Sequence, residues 1–129
     1  MSPIAPLARI LVVDDEPDIR NLLRLCLVEV GGYGVDLCTS GPEALARLET
    51  DRPDLILMDV MMPGLDGPAT LAALRDRGLG TPVIFLTAKV QAPEVAALKA
   101  QGALGVIGKP FDPMTLAGEV RALWEAHHG

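Results

Sequence analysis

Polar side chains follow four short aliphatic runs: Asp14 and Asp15 after Ile10-Leu11-Val12-Val13, Asp59 after Leu55-Ile56-Leu57-Met58, Thr87 after Val83-Ile84-Phe85-Leu86, and Lys109 after the run that ends at Ile107. Singly, each has an ordinary account, the Asp or Thr as a local turn former and the Lys as a solvated charge. Brought to one rim they imply a site, because three converging carboxylates repel one another unless a cation lies between them. Carboxylates, a backbone carbonyl and waters make an all-oxygen donor set. Such a set suits Mg²⁺, with Mn²⁺ able to substitute and a substrate phosphate completing the octahedron.

Strand-length apolar runs alternate with longer segments of helical period, which predicts βα units and a parallel sheet covered on both faces. Strands are expected over residues 9–13, 35–38, 55–58, 83–86 and 103–107. Ile19, Leu22, Leu23, Cys26, Leu27 and Val30 repeat at three and four after Pro17, which predicts one helix as far as Gly31-Gly32. Ser40 and Glu43 stand at capping-box spacing before the second helix. Pro68 opens the third, and the fourth runs from about Ala92 to Gly102. Asp112 and Pro113 are the expected N-cap and first position of a last helix through Trp124. The count is (βα)5. In such sheets, functional groups gather beyond the carboxyl ends of the strands, where the polar residues fall.

The 129 residues predict a single domain, its core over about 8–126, with no output domain. Hydrophobic residues make up 50% and charged ones 22%, which excludes a disordered chain. Seventeen acidic against eleven basic side chains give a net charge of −6, so neither nucleic acid nor an anionic membrane is an expected partner. No apolar run approaches a membrane span and no secretory signal opens the chain, so a cytoplasmic location is expected. Cys26 and Cys38 lack metal-ligand spacing and read as reduced core thiols. The Pro-containing start and the His127-His128-Gly129 tail are expected to be loose, with no role for the histidines.

The motifs Val12-Val13-Asp14-Asp15-Glu16-Pro17, Met58-Asp59-Val60-Met61-Met62-Pro63-Gly64, Leu86-Thr87-Ala88 and Gly108-Lys109-Pro110-Phe111, in this order, resemble the receiver domain of bacterial response regulators, the CheY-like family. The resemblance covers nearly the whole chain. It implies a flavodoxin-like (βα)5 fold with strand order 2-1-3-4-5. It implies that Asp59 is the phosphoacceptor, taking a phosphoryl group from a phosphohistidine on a sensor kinase or phosphotransfer protein. It further implies that Asp14, Asp15, Asp59 and the backbone carbonyl of Met61 hold Mg²⁺, that Lys109, Thr87 and the Ala88 backbone N–H bind the phosphoryl oxygens, and that Lys109-Pro110 is cis. The family's inward-turning aromatic, three places before the lysine, is replaced here by Val106, which has no ring to bury and little rotameric travel. A smaller rearrangement is therefore expected, or one carried by Phe111 or the loop before helix four. Met61 and Lys89 stand where the family's attacking water passes; neither is a general base at neutral pH, so slow self-dephosphorylation is expected.

The leading expectation is a phosphorylation-controlled binding module that catalyses only its own phosphorylation and slow dephosphorylation, acting on an unknown downstream protein or passing phosphate onward. An aspartyl-phosphate hydrolase would carry a second Asp where Met61 stands. A degenerate scaffold would lack part of the intact acid, Thr and Lys set. Arg20 and Arg24 are expected on the outer face of helix one, toward a kinase. A monomer, or a weak dimer through the face of helix four, strand five and helix five with Val95, Leu98 and Trp124 as candidates, is the expected assembly state.

Overall fold

A computed structural model describes residues 6–128. Five strands alternate with helices: β1 Arg9–Val13, α1 Pro17–Leu25, β2 Gly34–Cys38, α2 Gly41–Arg47, β3 Leu55–Asp59, α3 Gly67–Asp76, β4 Val83–Thr87, α4 Ala92–Gln101, β5 Gly105–Gly108 and α5 Leu116–His128. All four strand pairings are parallel and the order is β2-β1-β3-β4-β5. This is the flavodoxin-like arrangement expected. Strand order reverses between β1 and β3, so the crevice characteristic of such sheets opens between the residues that end those two strands.

The strands are apolar on both sides because both sides are covered. Ile10 and Val12 of β1 point into one core with Leu55, Leu57, Ile84 and Leu86, under Leu23, Leu27, Leu116, Val120 and Trp124. Leu11 and Val13 point into the other with Ile56, Met58 and Phe85, under Leu45, Leu48, Leu71 and Leu74. Each such leucine, fully removed from water, contributes about 1.5–3 kcal/mol. Cys26 and Cys38 are buried free thiols, one in each core. Among the described residues no helix is long and apolar enough to cross a membrane.

Three local expectations are corrected. The first helix does not run evenly to Val30: after Leu25 it widens into a π-helical turn, Cys26–Val30, closed by Gly31 N–H donating to the Cys26 carbonyl at 3.2 Å. A turn wider than 3.6 residues rotates the apolar stripe, so Cys26 and Leu27 stay buried while Val30 is half exposed. The regular last helix begins at Leu116 instead of Pro113, although Asp112 caps the single turn ahead of it as expected, its carboxylate accepting from Met114 N–H at 2.8 Å and its carbonyl from Leu116 N–H at 3.0 Å. The expected loose tail is helical as far as His128. Residues 1–5 and Gly129, expected to be loose, lie outside the described residues.

The capping box of α2 forms by half. Ser40 Oγ accepts from Glu43 N–H at 3.2 Å, but the Glu43 carboxylate accepts from the Thr39 hydroxyl at 2.7 Å instead of reaching back to the cap.

Candidate functional site

Each strand delivers its polar residue to the same edge. Asp14 continues β1, its N–H donating to the Cys38 carbonyl at 3.1 Å as a last rung on β2. Asp59 and Thr87 are the last residues of β3 and β4, and Lys109 follows β5, its N–H donating to the Thr87 carbonyl at 2.8 Å. Gly67, at the start of α3, makes room for this edge: a Cβ there would lie 2.5 Å from the Asp59 carbonyl oxygen and 2.8 Å from the Phe85 ring. Only glycine lets α3 close this tightly under the end of β3.

Asp14 and Asp59 are buried, with 0% and 4% of their surface exposed, and Asp15 is half-buried beside them. One carboxylate oxygen of each lies within 4.8 Å of the others. Lys109 Nζ donates to Asp59 Oδ2 at 3.0 Å and to Asp14 Oδ2 at 3.4 Å. Backbone donors add to this: Glu16 N–H to Asp14 Oδ1 at 2.9 Å and Met61 N–H to Asp59 Oδ1 at 3.2 Å. Asp15 has neither a hydrogen bond nor an ion pair among the described residues.

The electrostatics follow from this packing. Burial pushes the Asp14 carboxyl above the ordinary range, and the charge of Asp59 adds to it, while Glu16 N–H and Lys109 act the other way. Burial also opposes the Lys109 ammonium, yet hydrogen bonding to Asp59 and the charges of Asp14 and Asp59 outweigh it and hold the lysine above its usual value. Three carboxylates face one ammonium, which leaves two negative charges in excess. A hard divalent cation with oxygen ligands fits this donor set.

Thr87 is buried at the rim, and its Oγ1 accepts from Lys89 N–H at 3.0 Å. Lys109-Pro110 is cis, as expected. Ala88, Lys109, Pro110 and Phe111 line a groove of about 370 Å³ with Glu16, Ile19 and Leu22. Met61 and Lys89 are both exposed. Val106 is half-buried on β5, and Val90 lies over the neighbouring Gly108, 3.0 Å from where a Cβ would be.

Two surface expectations change. Arg20 is not on the outer face of α1: it is half-buried, and its Nη1 donates to the Asp14 carbonyl at 2.8 Å, whereas Arg24 is exposed as expected. Arg20 lies in the first turn of α1, where long side chains lean back over the helix start, and that rule was the available signal. Trp124 belongs to the core instead of a dimer face, leaving Val95 and Leu98 half-buried on α4.

Comparison with known proteins adds relatives. The response regulator receiver domain family matches residues 10–121. Response regulator MprA of Mycolicibacterium vanbaalenii is 43% identical over 115 residues, 89% of this chain and 49% of that protein. The alkaline phosphatase synthesis transcriptional regulatory protein PhoP of Bacillus subtilis is 42% identical over 115 residues, 89% of this chain and 48% of that protein. The chain thus spans about half the length of the curated relatives it matches. Among solved structures, chemotaxis response regulator CheY4 of Vibrio cholerae superposes with a TM-score of 0.84 at 34% identity, covering 91% of this chain and 98% of that one.

Proposed function

Because the chain belongs to the response regulator receiver domain family of two-component signalling, we propose that it is phosphorylated on Asp59 by a phosphohistidine of a histidine kinase or phosphotransfer protein. The observation that carries this reading is the buried Asp59 carboxylate at the end of β3, 3.0 Å from Lys109 and beside two further acids. An Asp59 oxygen attacks phosphorus, a P–O bond forms, the P–N bond breaks, and the histidine leaves with the electron pair. Asp14, Asp15 and Asp59, with the Met61 carbonyl, hold Mg²⁺, which when bound neutralises charge on the transferring group. Lys109 moves its ammonium from the carboxylates to a phosphoryl oxygen without leaving the site. Phosphoryl transfer is mainly positioning and charge neutralisation, so these groups suffice. The Thr87 hydroxyl and the Ala88 N–H bind the other phosphoryl oxygens.

In this reading the chain catalyses only its own phosphorylation and a slow hydrolysis, since Met61 and Lys89 offer no general base. With valine at position 106, the signal runs through the loop after β4. When the Thr87 hydroxyl turns to the phosphoryl group it releases Lys89 N–H, and Val90 shifts on Gly108, altering the face that a downstream protein reads.

Intact mass after incubation with acetyl phosphate tests the chemistry. A single Mg²⁺-dependent phosphoryl adduct, absent from Asp59→Asn, is expected. No adduct, or one that survives the substitution, overturns the assignment, and the former favours a scaffold that binds without phosphate.

A further inference from the structure

We infer that Arg20 is a positioning residue for the acidic site: its guanidinium holds the peptide plane between Asp14 and Asp15 and so sets the direction of the Asp15 carboxylate. The inference rests on reading the acid cluster as the site of a divalent cation.

Asp14 is held on every side. Its N–H is fixed to Cys38, its Oδ1 to Glu16 N–H, its Oδ2 to Lys109 and its carbonyl to Arg20 Nη1. Asp15 is the opposite case, a half-buried acid whose carboxylate makes no hydrogen bond or ion pair among the described residues. With no partner on its side chain, the constraint on where that carboxylate departs comes from its own backbone. The Asp14 carbonyl belongs to the planar peptide that also contains the Asp15 nitrogen, so a donor fixed on that oxygen fixes the plane from which Asp15 departs. The main chain of Arg20 is anchored in the first turn of α1, its N–H donating to the Glu16 carbonyl at 2.9 Å. The charge of Arg20 also adds to the Thr39 hydroxyl in holding the Glu43 carboxyl below the ordinary range.

Positioning and plain charge predict opposite signs. A cation beside a cation site repels the metal, so if Arg20 acted by charge alone its removal would tighten Mg²⁺ binding. If it positions Asp15, removal weakens binding, since loss of groups that orient metal ligands costs about 10–100-fold in affinity.

The test is a Mg²⁺ titration of the unphosphorylated protein by calorimetry and amide chemical shifts, for native, Arg20→Met and Arg20→Lys, with metal-free thermal melts of each. The expected result is binding weakened by about tenfold or more in Arg20→Met and largely restored in Arg20→Lys, whose ammonium can still reach a carbonyl. Binding by Arg20→Met that is unchanged or tighter overturns the inference, as does a lowered melting temperature with undiminished Mg²⁺ affinity of the folded protein. Should Arg20→Met fail to fold, the same comparison with Arg20→Leu, which likewise offers no donor to the carbonyl, decides by the same signs. A native protein that binds no Mg²⁺ removes the metal reading itself, whereas native binding with an indifferent Arg20→Met removes only the role of Arg20.

Discussion

Replacing Lys109 by methionine keeps an unbranched stem in the site and removes its ammonium. That ammonium stands 3.0 Å from Asp59 and 3.4 Å from Asp14, with 19% of the lysine side chain exposed against 5% and 0% for its partners. At an effective dielectric of about 20, each contact is worth about 5 kcal/mol gross, much of which offsets the desolvation of the three ions. Removing one partner of a buried pair costs about 3–5 kcal/mol because the other charge is stranded, and the partial exposure of Lys109 puts the expected cost at about 3 kcal/mol. At about 2.1 cal/mol/K per residue, the unfolding entropy of this chain is about 270 cal/mol/K, so the metal-free Tm should fall by about 11 °C. Mg²⁺ should act more strongly on the variant than on the native protein, because the cluster then holds three carboxylates with no cation of its own. Circular-dichroism melts in EDTA and in saturating Mg²⁺ measure both effects. A metal-free Tm within about 2 °C of native, or a smaller Mg²⁺-induced rise in the variant, refutes the reasoning.

Asp15→Asn should raise the metal-free melting temperature, since Asp15 has no partner to lose and its charge only repels Asp14 and Asp59, and it should abolish most of the stabilisation by Mg²⁺; melts with and without the ion check both signs. Burial, with the nearby Glu43 adding to it, pushes the Cys38 thiol up from 9.0 to about 11. The fold favours the neutral thiol, so the resulting stability is complete below pH 9 and is lost as the pH rises toward 11, about 3 kcal/mol in all. Urea denaturation of native and Cys38→Ala protein at pH 8 and pH 11 should show a gap that shrinks by about that amount; a gap independent of pH counts against it.

The strands, their order of appearance and the five residues at their ends are legible in the sequence, because each depends on a local signal: an apolar run long enough for one strand and a polar residue directly after it. The strand order 2-1-3-4-5 came with the family resemblance, and no periodicity in the chain encodes it. Which contacts those end residues make was decided by the tertiary structure. That Lys109 reaches both Asp59 and Asp14, and that Asp15 is left without a partner, depends on how the parallel sheet brings the carboxyl ends of β1, β3 and β5 to one edge, joining residues 95 positions apart in the chain. The π-helical turn was hidden for a different reason, since five residues cannot distinguish a wide turn from an ordinary one when the apolar stripe is continuous through both. Trp124 and Arg20 share a third reason. Helical spacing places a residue on a helix, but whether its side chain meets a core, a carbonyl or solvent is fixed by the element packed against it, and that element is distant in sequence.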